Sequence, residues 1–594
     1  MGRLVARLRA WLALPRASRH VVLLAVVFAL PSLGGGLAID DHWHKIMLTR
    51  DAAWSSFIKP WYELFTFYDG DGDRTHRMMD LGMSPWFTDP ELRLAFLRPA
   101  TAATHAVDYA LWPSQPWIMH AHSIAWLAAL VLVAAWAYRR LLPGWAGGLA
   151  GLLFALDHDH GVPAEWLCNR NALVAGVFAV GAFGVYDVAI REKRTIGWVI
   201  GSALLLALAL AGGESALAIG GFFAAHALYL DPRPWRSKLG SLAPHAIVLL
   251  LWAGVYRAGG FGAHGSGIYI EPGRDPLAFV RALAQHLPVL AAGELGGLPP
   301  DLWLVPFTPV RVAVLAFALL FLAWSATAIA RAFRADPVAR FFVVGSVLAT
   351  VPACATFPSS RLLVVPGFGM LGLLALVGAG IADGASWVPT GRTRRLARAF
   401  AMWSCGGHIF LSPLALQVTM QQLPLLNRAI ARFGADLPTA PVPGVERIII
   451  VNSPDVLFSP YLFLGRNEES PTRLPARLLT LASGTHALDL RRADEHTVVV
   501  RVDGGFYQSG TELITRTDRV PMHVGDRISL SDVVIEVLAT TPAGVPTEVS
   551  FRFALAADAS AYLWEQWDGK KLVATPPPAV GEHVAIPTHF AQLF

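Results

Sequence analysis

Eleven apolar segments separated by short polar loops constrain the fold of this chain more than any other feature. The first follows a basic, amphipathic start and covers about residues 21–39. The others cover about 117–138, 142–157, 171–190, 195–213, 215–230, 242–258, 309–331, 340–356, 361–382 and 397–416. A helix needs about 20 residues to cross a bilayer, and several segments are shorter, so their bounds are approximate. The pattern predicts an α-helical polytopic membrane protein with about eleven transmembrane helices.

The composition agrees with a surface that largely faces lipid. Only 15% of the 594 residues are charged, and the hydrophobic set makes up 54%. Soluble proteins carry roughly 25% charged residues. The net charge of +5 lies mostly in short basic clusters between apolar segments, which is typical of membrane orientation and argues against nucleic-acid binding. The three cysteines permit one bond between Cys168 and Cys354 but require none.

The basic clusters predict the orientation of the chain. They occupy alternate loops, on the same side as residues 1–20, at 139–140, 191–194, 233–238, 331–340 and 392–398. The positive-inside rule places these loops in the cytoplasm. The opposite loops are then extracytoplasmic: 40–116, 158–170, 213–215, 259–308, 357–360 and everything after about 417. We therefore expect a multi-pass protein of the cell inner (plasma) membrane, with its C-terminal domain in the periplasm or cell envelope. The segment 277–298 carries three ionisable residues, which favours a helix in the membrane interface over a twelfth crossing.

The C-terminal quarter has a different composition. After a membrane domain at 21–416 and a linker at 417–440, residues 441–594 contain short alternating segments such as ERIIIVN, HTVVVRV and EVSFRFA. Alternation of this kind is typical of half-buried strands. The sequence predicts an all-β, β-sandwich-like extracytoplasmic domain.

Ionisable residues are costly in lipid, so the places where they cluster are informative. Asp40 and Asp41 follow the first apolar segment, and Asp157, His158, Asp159 and His160 follow the third. When two carboxylates are adjacent, one of them keeps its proton to a higher pH, or a cation binds between them. Either state suits a general base or a metal ligand. Solvated loop acids remain the simpler interpretation of the first pair.

A third group of polar residues stands at the outer ends of other segments. Arginines at a lipid boundary recognise phosphate in a forked geometry, although they also reach lipid headgroups. The group comprises Arg98, Arg170, Arg361, His120 and Glu214.

These motifs together resemble the GT-C class of integral-membrane glycosyltransferases, within the protein O-mannosyltransferase-like superfamily. The resemblance covers about residues 20–385 and rests on LAIDDHWHK, LRPATAATHAVDYALW, FALDHDHGVPAEWLCNR, GGESALAIG and SSRLLVVPGFG. The sequence departs from the family pattern at Asp157 and His158, which replace a customary histidine and proline.

The resemblance implies transfer of a sugar from a polyprenyl-phosphate donor to a glycan, lipid or protein acceptor, with inversion. It assigns the base to Asp40 or Asp41 and donor phosphate binding to Arg98, Arg170 and Arg361. Asp157, Asp159, His160, Glu214 and His120 would support the site. It implies no certain cofactor and leaves a divalent cation open.

Two other functions remain open from the sequence. A transporter or flippase of a lipid-linked saccharide would use the same membrane segments, although the repeated halves typical of transporters are absent from the sequence. A non-catalytic membrane protein that displays the β-domain is the other alternative.

Overall fold

The computed structural model describes residues 2–50, 54–305, 307–438, 440–467, 477–484, 486–508 and 510–588. Its first helices are α1 (Gly2–Leu12), α2 (Ala17–Ala29), α3 (Asp40–Thr49), α4 (Gly72–Leu81), α5 (Pro99–Leu111), α6 (Pro116–Leu141) and α7 (Trp145–Ala155). The next are α8 (Gly161–Glu165), α9 (Arg170–Arg191), α10 (Ile196–Gly212), α11 (Ile219–Tyr229), α12 (Trp235–Ala258) and α13 (Pro276–Glu294). The last are α14 (Thr308–Ala335), α15 (Pro337–Thr350), α16 (Val364–Asp383), α17 (Gly391–Gly406), α18 (Ser412–Phe433) and α19 (Phe458–Asn467).

The membrane helices form a bundle around α16. In the described residues, eight helices are long and apolar enough to cross a bilayer: 17–34, 116–141, 167–191, 235–258, 308–335, 337–355, 364–383 and 391–433. Two shorter apolar helices are Trp145–Ala155 and Ile196–Gly212. Each of the eleven predicted segments overlaps a helix, but the count of eleven crossings is not confirmed because α7, α10 and α11 are too short by this criterion.

Close contacts in the bundle depend on small residues, as glycine-rich membrane helices do generally. At Gly148 of α7, an added Cβ would collide with the carbonyl oxygen of Leu12 in α1. The guanidinium of Arg139 donates to the same carbonyl at 3.1 Å and to the carbonyl of Leu14 at 2.8 Å. The basic N-terminal segment is therefore a packed helix and part of the bundle.

The segment predicted as a linker, 417–440, is mostly helical. Helices α17 and α18 join through a π-helical turn, Gly407–Leu411, and α18 continues to Phe433. At about 1.5 Å per residue, a helix over 391–433 exceeds the roughly 30 Å hydrocarbon core. Its last turns therefore extend beyond the membrane and carry the C-terminal domain.

The strands form three sheets. A small sheet in the order β1-β2-β3 contains β1 (Thr66–Asp69), β2 (Arg93–Ala95) and β3 (Gly262–His264). A four-stranded sheet in the order β12-β11-β4-β5 contains β4 (Arg447–Ser453), β5 (Arg477–Ser483), β11 (Tyr562–Trp567) and β12 (Leu572–Ala574). A six-stranded antiparallel sheet in the order β13-β6-β7-β10-β9-β8 contains β6 (Leu488–Arg492), β7 (Thr497–Val502), β8 (Arg527–Ser529), β9 (Val533–Thr540), β10 (Pro546–Phe553) and β13 (His583–Ile586).

The two larger sheets share one hydrophobic core, and residues 40–116, the predicted first outer loop, help to build it. Met79, Trp86 and Phe87 of that loop pack in this core with residues of both sheets. The C-terminal region is therefore β-rich as predicted, although it contains α19 and is completed by residues far from it in sequence. Residues 589–594, at the end of the predicted domain, lie outside the described residues.

Strand β4 differs from the predicted half-buried pattern because both of its faces are covered. Ile449 and Val451 pack into the core between the sheets, whereas Ile448 and Ile450 pack with α19 and the first outer loop. It also pairs in parallel with both β5 and β11. A parallel strand with both faces covered is continuously apolar, which explains the run of three isoleucines.

Candidate active site

A cavity of about 400 Å³ lies where the membrane bundle meets the C-terminal domain. Its wall comes from segments scattered along the chain, including 39–43, 162–166, 268–304, 357–361, 422–423 and 457–464. Every one of these segments was predicted to lie on the same side of the membrane or at the end of an apolar segment on that side. Aromatic and aliphatic side chains dominate the lining, and Asp40, Asp301 and Arg361 are its charged residues. An apolar cavity with a few converging polar groups is typical of a ligand site.

The two neighbouring aspartates stand at consecutive positions at the start of α3, so their side chains point in different directions. Ile39 has φ +42° and ψ −112°, an outlying conformation for a β-branched residue, directly before α3 begins. Strained backbone of this kind occurs at functional sites when the surrounding structure holds it in place. Asp40 lines the cavity, whereas Asp41 is buried behind it.

Asp41 is surrounded by hydrogen-bond donors that use its carboxylate to hold the fold together. Its Oδ1 accepts from the backbone N–H of Cys168 at 2.7 Å, and its Oδ2 accepts from the backbone N–H of Ala38 at 3.1 Å. The hydroxyl of Tyr109 donates to its carbonyl oxygen at 3.2 Å. Burial raises the pKa of Asp41 to about 7, against the effect of the two N–H donors. Its carboxylate joins the first outer loop to the start of α9.

Asp40 has the environment of a reactive carboxylate. Its Oδ1 accepts from the hydroxyl of Tyr461 at 2.6 Å, and its Oδ2 has the thiol of Cys168 at 3.9 Å. Burial raises the pKa of Asp40, while Tyr461 and the positive charges of Arg361 and Arg98 oppose this increase. A carboxylate with a raised pKa and one available oxygen can accept a proton from a hydroxyl group.

Arg361 is the predicted arginine that lines the cavity. Its guanidinium lies 5.7 Å from the ring centroids of both Trp166 and Phe357. The turn that carries it is held by Asp301, whose carboxylate accepts from the Ser359 hydroxyl at 2.7 Å and from the backbone N–H of Ser360 at 3.0 Å. A guanidinium held against aromatic faces in this way can still bind an anion through its N–H groups.

The other two predicted arginines do not line the cavity. The Nε of Arg98 donates to Glu214 Oε2 at 2.8 Å, which also gives Glu214 the partner that the sequence could not identify. Arg170 is fully buried, and its Nη1 lies 2.5 Å from Asp108 Oδ2. His120 is also buried, with Nε2 at 2.8 Å from the carbonyl of Gly36. These residues hold loops together around the site.

The loop at 157–160 contacts the turn at 360–362 that carries Arg361. The ring of His158 lies between two acids, with Nδ1 at 3.4 Å from Asp157 Oδ1 and Nε2 at 3.4 Å from Asp159 Oδ1. Burial lowers the pKa of His158, but the adjacent carboxylates of Asp159 and Asp157 outweigh it and raise the pKa to about 9. His160 is buried against the ring of Phe154.

A divalent cation bound at this loop would have to displace the proton of His158, because a metal-bound imidazole is neutral. Ligand atoms of Asp157, His158 and Asp159 all lie within 4.8 Å of one another. The side chains of Asp159 and Glu294 are both buried, and their carboxyl groups interact with each other. Burial, together with Asp157 and Asp159, raises the pKa of Glu294 well above its usual range. Buried carboxylates and imidazole are suitable ligands for several divalent metals.

Sequence reasoning missed two residues that line the cavity. Tyr461 lies in FSPYLFLG, an ordinary amphipathic segment of the C-terminal region, and carries no signal of function. Asp301 follows a proline pair in PPDLW, which reads as a turn. The three cysteines are free, so the Cys168–Cys354 bond does not form.

No family model matches this chain, and neither does any curated protein. Similar solved structures include an Archaeoglobus fulgidus oligosaccharyltransferase tethered with an acceptor peptide, at 11% identity and TM-score 0.40, covering 79% of this chain. They also include AglB of the same organism with an inhibitory peptide and a dolichol-phosphate, at 13% identity and TM-score 0.40, covering 77% of this chain. The chain spans 64% of the length of each of these two structures.

ArnT from Cupriavidus metallidurans bound to undecaprenyl phosphate is similar at 14% identity and TM-score 0.39, over 77% of this chain and 85% of that chain. AglB and ArnT are GT-C glycosyltransferases, the class that the sequence motifs also resemble. Similarity at identities of 11–14% says nothing about the chemistry of the site in this chain.

Proposed function

We propose that this chain is a GT-C-type glycosyltransferase, which moves a sugar from a polyprenyl-phosphate donor to an extracytoplasmic acceptor with inversion. The observation that carries the proposal is the cavity in which Asp40 and Arg361 meet. These two residues come from loops more than three hundred residues apart. A base and an anion-binding group in one apolar cavity at the membrane surface suit this reaction.

The proposed reaction is a single displacement. Asp40 takes the proton from an acceptor hydroxyl as its oxygen attacks the anomeric carbon. The bond between that carbon and the phosphate oxygen breaks, and polyprenyl phosphate leaves with the electron pair. Arg361 balances the negative charge that grows on the phosphate. Asp40 is the cavity carboxylate with an available oxygen, because both oxygens of Asp301 accept hydrogen bonds from Ser359 and Ser360. With one available carboxylate to act as base and no second carboxylate free to act as nucleophile among the described cavity residues, the anomeric centre inverts.

The loop at 157–160 supports this arrangement. Asp157, His158 and Asp159 would hold a divalent cation, which would supply positive charge next to the turn that carries Arg361. Arg98 and Arg170 serve the site through their pairs with Glu214 and Asp108, not by binding the phosphate themselves. The acceptor is a glycan, a lipid or a protein, and the site faces the periplasm or the cell exterior.

Deletion of the gene followed by lipid and glycan analysis tests the proposal. We expect a polyprenyl-phosphate sugar to accumulate and one extracytoplasmic modification to disappear. The wild-type gene and Asp73→Asn, an exposed acid in the same outer loop, should restore both. Asp40→Asn at equal expression should restore neither.

Two results would contradict the proposal. Full restoration by Asp40→Asn would remove the base. Movement of a lipid-linked saccharide across the membrane of proteoliposomes without chemical change would favour a transporter. Restoration of the modification by every variant that retains the C-terminal domain would favour a non-catalytic protein that displays this domain.

A further inference from the structure

The C-terminal domain reaches into the cavity through helix α19. This helix connects the parallel strands β4 and β5 and packs against α3, which carries Asp40. Tyr461 on α19 lines the cavity, and its hydroxyl donates to Asp40 Oδ1 at 2.6 Å. The two residues are 421 positions apart in the chain.

Two aromatic contacts of α19 fix the position of Tyr461. Phe463 is buried, with its ring centroid 6.1 Å from that of Trp54 in the first outer loop. Phe458 packs edge-on against Phe433 at the end of α18, at 5.6 Å between centroids. Because both partners lie outside the C-terminal sheets, α19 is held by the first outer loop and by the long helix together. A tyrosine so placed has little freedom to leave the carboxylate.

We propose that Tyr461 is a positioning residue for the base, so that the C-terminal domain is a necessary part of the catalytic site. The inference rests on the proposed function. Its geometric basis is that Tyr461 occupies Oδ1 of Asp40, whereas Oδ2 has only the Cys168 thiol at 3.9 Å among the described residues. The hydrogen bond fixes the plane of the carboxylate and presents Oδ2 to the acceptor hydroxyl. The phenol also stabilises the ionised form of the base.

Several charged or titratable groups surround Asp40, and any effect of pH reflects all of them. Those that face it from the packed elements are Asp41, Tyr68, Arg98, Cys168, Arg361 and Tyr461. Burial and the charge of Asp40 raise the pKa of Tyr461 well above its usual range, so the phenol remains a donor throughout the working range. Removal of its hydroxyl leaves the two arginines and the Cys168 thiol as the groups that favour the carboxylate.

The test is Tyr461→Phe in the full-length protein, assayed with the donor that the deletion strain accumulates. The ring and its packing are retained, so only the hydrogen bond is lost. A hydrogen bond to a charged group corresponds to a decrease in kcat/KM of about 10- to 100-fold. We expect this loss to be greatest at low pH, because the acid limb of the pH profile moves to higher pH. Tyr562→Phe, which removes a hydroxyl at the start of β11 away from the cavity, should leave rate and profile unchanged.

A second variant changes the strength of the same hydrogen bond without removing it. Incorporation of 3-fluorotyrosine at position 461 makes the phenol a stronger donor, so the acid limb should move to lower pH. An unchanged rate for Tyr461→Phe, or a uniform loss at every pH, would overturn the inference. The proposed function would survive that outcome as long as the wild-type protein consumes the donor and Asp40→Asn does not.

Discussion

Trp86 allows a quantitative test of the claim that the first outer loop is part of the C-terminal domain. Its side chain is 2% exposed, and it packs edge-on against Phe506 and Phe551 at 5.2 and 5.8 Å between ring centroids. Its Nε1 donates to the carbonyl of Leu481 at 3.0 Å. Substitution of a buried Trp by Ala costs about 3–5 kcal/mol, and the lost hydrogen bond adds about 1 kcal/mol.

These values predict that Trp86→Ala lowers the free energy of unfolding of the C-terminal domain by about 4–6 kcal/mol. Domains are stable by only about 5–15 kcal/mol, so a large share of the stability would be lost. Pulse proteolysis of the detergent-solubilised protein across a urea series measures the change through the loss of the intact chain. Trp61→Ala is the matched control, because Trp61 lies in the same loop but is 45% exposed.

We expect the Trp61 variant to differ from wild type by about 0.5 kcal/mol or less. Equal unfolding curves for Trp86→Ala and wild type would refute the claim that this loop completes the domain core. Because α19 belongs to that domain, Trp86→Ala should also reduce turnover at temperatures where the domain begins to unfold.

Three further predictions concern the cavity and the neighbouring loop at 157–160. The pH profile of kcat/KM should show an acid limb above the ordinary carboxyl pKa of 3.8, because burial raises the pKa of Asp40. Activity rises through this limb because only the ionised carboxylate accepts a proton. An acid limb below 3.8 would contradict the assignment of the base. Arg361→Gln should lower kcat/KM for the donor by about 100-fold or more, with partial recovery in Arg361→Lys, and equal rates for all three proteins would exclude phosphate binding by this residue. The purified protein should contain a divalent metal by elemental analysis that Asp159→Asn lacks, and metal-free wild-type protein with full turnover would exclude a cation at this loop.

The sequence identified those site residues whose ionisable side chains would be costly to place in lipid. Asp40 and Arg361 attract attention because ionisable side chains at the ends of apolar segments need a reason to be there. The packing of several helices brings these two residues into one cavity. The order of the segments predicts only that both residues lie on the same side of the membrane.

Other features could not be read because they depend on partners far away in the chain. Arg98 and Arg170 looked like free phosphate ligands, but Glu214 and Asp108 neutralise them. Tyr461 is an ordinary residue of an amphipathic helix until the sheet places that helix against α3. Pairing over such distances follows from tertiary structure and leaves no local pattern.

The contacts at the cavity also limit the number of membrane crossings. Groups in contact outside the hydrocarbon core lie on one side of the membrane, so the chain between them crosses an even number of times. Asp41 accepts from the backbone of Cys168, and only α6 and α7 lie between them among the apolar helices, so α7 must cross if α6 does. Arg98 contacts Glu214, which requires α10 to cross in the same way after α6, α7 and α9.

Helix α11 must also cross if α12 does, because Tyr269, which follows α12, lines the cavity on the same side as the residues before α11. The parity of these contacts therefore predicts eleven crossings, with α7, α10 and α11 as short helices where the bilayer or the neighbouring bundle adapts. In a cysteine-free background, Lys193→Cys should be protected from an impermeant maleimide in intact cells, whereas Arg274→Cys should react, because Arg274 is an exposed residue on the predicted outer side after α12. Labelling of Lys193→Cys from outside would show that α7 does not cross, and the cavity contacts would then place cytoplasmic and outer groups against each other.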